Sequence, residues 1–185
     1  MHIKRSAEKM KIRTATQDDA DAVRRVHLSA FPHGEGDIVS QLAVDLLSEE
    51  PAPPVISLVA EADDIVVAHV AFSPVRMRET QEFIGYILAP LAVIPDHQKR
   101  SIGSCLIKSG IERLEETGAD ILFVYGDPGF YGRFGFRVDV AECYIPPYQL
   151  QYSFGWQGMA LRHFEARRSA ASISCVSSLS IPALW

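Results

Sequence analysis

The chain has 185 residues, of which 48% are hydrophobic and 22% charged, with a formal net charge of −5. This length and composition predict one globular domain and exclude a wholly disordered or low-complexity protein. The acidic balance argues against nucleic-acid binding as the main task, because phosphate contacts need a basic surface.

The cysteines and the apolar segments bear on metal binding and on location. Cys105, Cys143 and Cys175 are widely separated and form no CxxC pair. This spacing predicts neither a zinc site nor a disulfide framework, which fits a reducing compartment, and no other metal site is predicted. Residues 1–30 contain no signal-peptide pattern, and the longest apolar stretch, 86–95, is about half of a membrane span. We therefore expect a cytoplasmic protein without a membrane partner.

The first third of the chain predicts a strand and two helices. Residues 1–9 have no periodic pattern and are expected to be disordered. Residues 11–15 alternate as a short strand, and Asp18 and Asp19 then offer N-caps for a first helix. A second helix is predicted from apolar residues at helical spacing, namely Ile38, Leu42, Leu46 and Leu47.

Two apolar runs then predict a β-hairpin. Residues 55–60 and 65–73 read as strands, and 63–64 form the turn between them. Pro74 is expected to end the second strand, because proline cannot donate a hydrogen bond to a neighbouring strand.

A long strand and a strong helix occupy the middle of the chain. Residues 83–93 are apolar, but Pro90 lies among them, so an interruption or bulge is expected there. A loop over 94–100 leads into a helix whose apolar stripe is formed by Ile102, Leu106, Ile107, Gly110, Ile111 and Leu114.

The last third predicts shorter elements. Residues 121–125 form a buried type of strand, and Asp127 followed by proline caps a short helix. Residues 137–145 and 157–164 are predicted to be two further strands. Residues 166–185 are rich in serine and alanine without a period, and we expect a mobile or loosely docked tail.

These elements predict the fold class. Their order is β-α-α-β-β-β-α-β-α-β-β within one domain over residues 10–165. The strand, helix and strand over 83–125 predict a parallel pair joined by a right-handed crossover. The remaining strands favour antiparallel pairing, so the protein belongs to the α/β class (α+β) with a mixed sheet.

The loop before the central helix is a candidate anion site. The first amides of a helix have no intrahelical acceptor and favour a negative ligand. Lys99 and Arg100 add positive charge, and Gly103 has no Cβ, so a phosphate can approach the backbone closely. The same residues also fit an ordinary solvated, basic helix start. Neither a Walker loop nor a GxGxxG fingerprint is present.

Two segments carry a resemblance to a known family. The stretch Leu88-Ala-Pro-Leu-Ala-Val-Ile-Pro-Asp-His-Gln-Lys-Arg-Ser-Ile-Gly103 resembles the acetyl-coenzyme A site of the GNAT N-acetyltransferases, whose motif reads Gln/Arg-x-x-Gly-x-Gly/Ala after a strand. Gly126-Asp-Pro-Gly-Phe-Tyr-Gly-Arg-Phe-Gly-Phe136 resembles the later Tyr-x-x-x-Gly-Phe segment of that superfamily. The combination is most similar to the bacterial YhbS-like acetyltransferases.

The resemblance implies a fold and a cofactor site. It implies the GNAT-like acyl-CoA N-acyltransferase fold, with a central sheet splayed between strands 4 and 5 and helices on both faces. It implies acetyl-CoA in the splay and no metal. The residues that it assigns to cofactor binding are Leu91, Ala92, Val93, Gln98, Lys99, Arg100, Ser101, Ile102, Gly103, Ser104, Asp127 and Tyr131. Ser101 stands where the motif has its first glycine, and a serine resists a positive φ, so a slightly different loop is expected, in which the serine hydroxyl can donate to a phosphate.

The implied activity is transfer of an acetyl group from acetyl-CoA to a primary amine, by direct attack in a ternary complex. Tyr131 matches the tyrosine that protonates the departing thiolate, although a packing role among the neighbouring phenylalanines fits as well. Arg133 fits either a phosphate ligand or a solvent-facing side chain. The amine needs a base or a chain of water molecules, and the candidate bases are Glu35, Glu82, His33 and His69.

Other interpretations stay open on the sequence alone. One is a non-catalytic acyl-CoA sensor or regulatory module of the same fold, and another is an interaction protein without a cofactor. The acceptor is a small-molecule or protein amine of unknown identity. One group of aromatic residues fits an acceptor pocket, a cover for the sheet end or a contact in a homodimer equally well: Tyr144, Tyr148, Tyr152, Phe154 and Trp156.

Overall fold

A computed structural model describes residues 10–32, 34–162 and 169–185. Its strands are β1 (Met10–Thr14), β2 (Ile56–Ala62), β3 (Ile65–Met77), β4 (Phe83–Val93), β5 (Ile121–Tyr125), β6 (Tyr144–Ile145), β7 (Trp156–Ala160) and β8 (Ala171–Ser174). Its helices are α1 (Ala20–Ala30), α2 (Glu35–Ser48), α3 (Ile102–Leu114), α4 (Pro128–Tyr131) and α5 (Val138–Ala141). In this part of the chain no helix has the length and apolar character needed to cross a membrane. The predicted disorder of residues 1–9 concerns a segment outside the described residues.

The strands form a mixed sheet in the order β1-β2-β3-β4-β5-β7, with β8 beside β3 and β6. β4 and β5 are parallel, with Gly85 opposite Ile121 and Leu88 opposite Val124. The other neighbours along this order are antiparallel. The predicted parallel pair with α3 as its crossover is therefore confirmed, and β6 and β8 add a second, two-residue parallel pair.

The sheet opens between β4 and β5 at the carboxyl ends of these strands. Pairing with β5 stops at Leu88, whereas β4 continues to Val93 beside β3. The register against β3 shifts around Pro90, because Leu88 lies opposite Phe72 and Leu91 lies opposite Val70. The bulge expected at Pro90 is confirmed, and it accompanies the gap between the two strands.

Helices cover both faces of the sheet, as predicted. On one face, Leu106 and Ile107 of α3 are fully buried in a cluster that includes Phe72. Gly110 permits this packing, because a Cβ there would lie 2.1 Å from Cζ of Phe72. On the other face, α1 and α2 pack against the alternate residues of the same strands. The buried apolar side chains of these two helices include Val23, Val26, Leu42 and Leu46.

Two local predictions are wrong. Pro74 does not end β3, which continues to Met77. On the side of β3 away from β4, pairing with β2 ends at Phe72 and pairing with β8 begins at Arg76. Pro74 lies between these two pairings, where no neighbouring strand requires a hydrogen bond from its backbone nitrogen. Residues 137–145 are not one strand. They form a single bridge at Arg137, then α5 and the two residues of β6.

The expectation of a mobile or loosely docked tail is also wrong over 171–185. β8 pairs with β3 and β6, and Ile173 and Leu179 are buried. The ring of Trp185 lies 6.0 Å from that of Trp156, and the Ser178 hydroxyl donates to a Glu49 carboxylate oxygen at 2.6 Å. The alternation of small and apolar residues in β8 spans only four positions, which is too short to stand out as a strand in the sequence.

Candidate active site

A cleft of about 490 Å³ lies beside the free end of β4. Its walls come from β4, from the loop before α3, from the first turn of α3, and from α4 with the turn that follows it. It brings together all the predicted cofactor residues except Arg100, Asp127 and Tyr131. The lining residues are Leu91, Ala92, Val93, His97, Gln98, Lys99, Ser101, Ile102, Gly103, Ser104, Phe130 and Arg133.

The start of α3 supplies backbone donors to this cleft. The amide of Cys105 donates to the carbonyl of Ser101 at 2.9 Å, which is the first turn of the helix. By helix geometry, the amides of Ile102, Gly103 and Ser104 precede the first intrahelical bond and have no acceptor within the helix. The side-chain amide of Gln98 donates to the carbonyl of Val93 at 3.0 Å and so fixes the loop to the end of β4.

The loop keeps a left-handed turn although Ser101 replaces the motif glycine. Ser101 has φ +62° and ψ +9°, and Lys99 also has a positive φ of +60°. Ser101 therefore adopts the positive φ that a serine was expected to resist. A non-glycine residue in this conformation costs roughly 1–2 kcal/mol, which the surrounding fold offsets.

Gly103 borders the cleft without a side chain. A Cβ built on Gly103 would lie 3.5 Å from Cγ2 of Val93 and 3.9 Å from Cδ2 of Leu91. These are ordinary van der Waals distances, so the protein itself has room for an alanine there. This agrees with the resemblance, in which either glycine or alanine occupies the position.

The charge of the cleft is positive on both walls. Lys99 lies on the α3 side and Arg133 on the α4 side, and none of the lining residues is an aspartate or glutamate. The Arg133 guanidinium donates from Nε to the carbonyl of Phe130 at 3.1 Å, and its Cζ lies 4.6 Å from the centre of the Phe130 ring. From the sequence, Arg133 fitted either of two roles, and neither Phe130 nor His97 was predicted to bind the cofactor. The spacing of Phe130 and Arg133 by three residues, which places them on one helical face, was the available signal.

Tyr131 lies in the aromatic group behind this wall. Its ring centre is 4.9 Å from that of Phe130 and 5.8 Å from that of Phe136. The ring also packs on the backbone of Gly126, where a Cβ would lie 2.4 Å from Cε2 of the tyrosine. Burial raises the pKa of Tyr131 to about 12, so its hydroxyl is protonated at neutral pH.

Asp127 and Arg100 do not line the cleft. The Asp127 carboxylate accepts a hydrogen bond from the amide of Gly129 at 2.9 Å, and Pro128 occupies the first helical position of α4. The predicted N-cap is therefore confirmed. This cap orients α4, which carries Phe130 and leads into the turn of 3-10 helix Gly132–Phe134 that carries Arg133.

Comparison with known proteins decides the family. The acetyltransferase (GNAT) domain family matches residues 11–138. The chain belongs to this family. It is 38% identical to the uncharacterized N-acetyltransferase YjhQ of Escherichia coli K12 over 137 residues, which are 72% of this chain and 74% of YjhQ. It is 33% identical to the uncharacterized N-acetyltransferase YhbS of the same strain over 131 residues, which are 70% of this chain and 74% of YhbS.

Solved structures support the GNAT fold. The crystal structure of YhbS from E. coli in complex with CoA has a TM-score of 0.81 at 24% identity and covers 97% of both chains. A GNAT family acetyltransferase from Brucella melitensis, solved in complex with acetyl-CoA, has a TM-score of 0.67 at 30% identity. It covers 93% of this chain and 99% of that chain. The predicted fold and the resemblance to YhbS-like acetyltransferases are confirmed.

Three of the four candidate bases of this GNAT protein lie within the described residues, and none of the three lines the cleft. Glu82 precedes β4 and is about 30 Å from Leu91 at ~3.3 Å per strand residue, which is too far for a direct role. His69 is buried between Ser57 and His27, at 2.8 Å from each. Burial lowers the pKa of His69 well below its usual value, so its ring is neutral. Glu35 is exposed at the start of α2, and His33 lies outside the described residues.

The aromatic residues of 143–157 divide between core and surface. Tyr144 and Trp156 are buried and pack on Phe123. The centre of each of their rings lies 5.0 Å from the centre of the Phe123 ring. Tyr152 and Phe154 are exposed. A second cleft of about 1110 Å³ lies here, and its aromatic lining residues are Tyr144, Tyr148, Phe154 and Trp156. Two of the five aromatic residues therefore cover the sheet.

Proposed function

We propose that this protein transfers the acetyl group of acetyl-CoA to a primary amine by direct attack in a ternary complex. The observation that carries the proposal is the cleft, in which an edge of β4 with no neighbouring strand among the described residues leads to the amides at the start of α3. The two GNAT structures in complex with CoA and acetyl-CoA support it.

The cleft fits the two chemical halves of coenzyme A. The β4 edge over 89–93 that faces β5 has no strand beside it in the described residues, so backbone groups of Leu91 and Val93 are suited to pair with the pantetheine amides. The amides of Ile102–Ser104 are suited to the pyrophosphate, because they combine free donors with the positive end of a helix dipole. Gln98 and Lys99 lie beside them.

The transfer forms a carbon–nitrogen bond and breaks the carbon–sulfur bond of the thioester. The amine nitrogen attacks the acetyl carbon and loses a proton, and the coenzyme leaves as a thiolate that takes up a proton. We assign the donation of that proton to Tyr131. Its burial keeps the phenol protonated throughout the physiological range, because its pKa is raised to about 12.

The incoming amine must arrive neutral or lose its proton in the site. A lysine-type amine has a pKa of about 10.4, so most of it is protonated at neutral pH. No carboxylate lines the cleft in the described part of the chain, and His69 has no exposed surface. We therefore propose that water molecules carry the proton from the amine to solvent. The net charge of −5 favours the approach of cationic amines.

Titration calorimetry with acetyl-CoA, followed by a thiol-release assay with a panel of amines, tests this function. We expect saturable binding and release of free CoA thiol that depends on the amine. Binding without thiol release for small amines, polyamines and lysine peptides would favour the acyl-CoA sensor. Absence of acetyl-CoA binding would refute the proposal.

A further inference from the structure

Positive charge on opposite walls of the cleft indicates a ligand with two separate anionic groups. Lys99 stands beside the amides of α3, and Arg133 stands on the α4 wall. The amides of Ile102–Ser104, together with Lys99, already offer several donors to one anionic group, the pyrophosphate in the proposed function. Arg133 is a further cation, supplied by a different element, and no acidic residue of the lining neutralises it.

Contacts within the protein already hold the Arg133 guanidinium in place without a ligand. Its Nε donates to the carbonyl of Phe130, and its Cζ lies over two aromatic rings, 4.6 Å from the centre of Phe130 and 5.4 Å from that of Phe134. Within the described residues its two terminal nitrogens make no hydrogen bond. A guanidinium that is already ordered loses little side-chain entropy on binding, and its paired N–H groups match the oxygens of a phosphate.

We propose that Arg133 binds the ribose 3′-phosphate of coenzyme A and makes this protein select coenzyme A over 3′-dephospho-coenzyme A. The inference rests on the proposed function, since it takes coenzyme A as the ligand. Coenzyme A carries a pyrophosphate and a separate 3′-phosphate. The pyrophosphate has its donors at α3, whereas the dianionic 3′-phosphate needs a cation from another element. Arg133, in the turn that directly follows α4, is that cation.

The test compares the binding of CoA and 3′-dephospho-CoA by titration calorimetry. The proteins are wild type, Arg133→Gln and Arg133→Lys, with Arg78→Gln as the control. Arg78 is an exposed arginine outside this cleft, so its substitution removes the same charge elsewhere. We expect wild type to bind CoA about tenfold more tightly than 3′-dephospho-CoA, as for one solvated charge-assisted contact.

Arg133→Gln should abolish that preference. We expect its affinity for CoA to fall about tenfold and its affinity for 3′-dephospho-CoA to stay the same, so that the two ligands become equivalent. Arg133→Lys should keep part of the preference, because it retains the charge but loses the planar pair of donors. Arg78→Gln should behave as wild type. Raising the salt concentration should reduce the preference of the wild type for CoA over 3′-dephospho-CoA, because the contact between Arg133 and the 3′-phosphate is exposed to solvent.

Three outcomes would overturn the inference. Equal losses for both ligands in Arg133→Gln would place the arginine at the pyrophosphate or the adenine instead. An unchanged preference in Arg133→Gln would remove it from the site. Equal binding of both ligands by wild type would show that the 3′-phosphate is not recognised. In all three, wild type still binds CoA and the proposed function stands, whereas absence of CoA binding by wild type would refute both.

Discussion

The substitution Gly103→Glu tests the anion site at the start of α3 most directly. Gly103 lies in the first turn, and its missing Cβ points toward Val93 and Leu91 in the cleft. A glutamate at this position would place a carboxylate beside the amides that we assign to the pyrophosphate. It would add both bulk and a negative charge where a negative ligand is expected.

The expected loss follows from the charge. Two unit charges at 4 Å repel by about 1 kcal/mol in water and by about 4 kcal/mol at an effective dielectric constant of 20. With one charge on each phosphate of the pyrophosphate, the repulsion is about 2–8 kcal/mol. Since each 1.4 kcal/mol is about a tenfold change in affinity, we expect acetyl-CoA to bind at least about 30-fold more weakly, before any steric effect.

Gly103→Ala is the matched control. Its methyl group would make contacts of 3.5 and 3.9 Å with Val93 and Leu91, and alanine favours a helix over glycine by up to about 1 kcal/mol. We expect its Tm to rise by no more than about 2–4 °C and its affinity to stay within about threefold of wild type. Calorimetric titration with acetyl-CoA and a thermal melt of each variant provide the measurements. If Gly103→Glu is folded and binds acetyl-CoA as tightly as wild type, the pyrophosphate does not lie at the start of α3.

Three further predictions concern the loop, the acid and the fold. Ser101→Gly should leave acetyl-CoA affinity within about threefold of wild type, because Ser101 already has the left-handed backbone; a large gain in affinity would mean that serine distorts the loop. Tyr131→Phe should lower kcat by about 10²–10⁴-fold at saturating substrates while activity stays measurable, and an unchanged kcat would remove Tyr131 from the mechanism. Hydrogen bonds from Arg13 lower the pKa of Asp19 to about 2, so this pair stabilises the fold above pH ~4 and the stabilisation is lost as the pH falls toward 2. Asp19→Asn should therefore lower the free energy of unfolding by about 2 kcal/mol at pH 7, and urea titrations should show this difference shrinking between pH 4 and pH 2; a difference independent of pH would contradict the assignment.

Local signals in the sequence predicted the centre of the fold well. The apolar stripe of α3 and the buried run of β5 are each long or uniform enough to identify one element, and a strand, helix and strand in that order imply a parallel pair. The bulge at Pro90 followed from the lack of a proline N–H. The loop from Gln98 to Ser104 was found because its residues match a motif that is contiguous in sequence.

Features that depend on distant partners could not be predicted in this way. Pro74 is tolerated because pairing with β2 ends before it and pairing with β8 begins after it, and neither fact is visible near residue 74. β8 is a strand because β3 and β6 are beside it. The place of Arg133 in the cleft depends on how α4 leaves β5, which the cap at Asp127 fixes.

The pairing of β8 with β3 has a consequence during synthesis. Arg76 and Ser174, which face each other in the sheet, are 98 residues apart in the chain. At roughly 5–20 residues per second, a ribosome needs about 5–20 s to deliver β8 after β3 has emerged. Over that time the carboxyl half of β3 is an open strand edge with apolar side chains, which is a site for mispairing and aggregation. A fragment cut at residue 138, where the family match ends, would keep this edge open permanently.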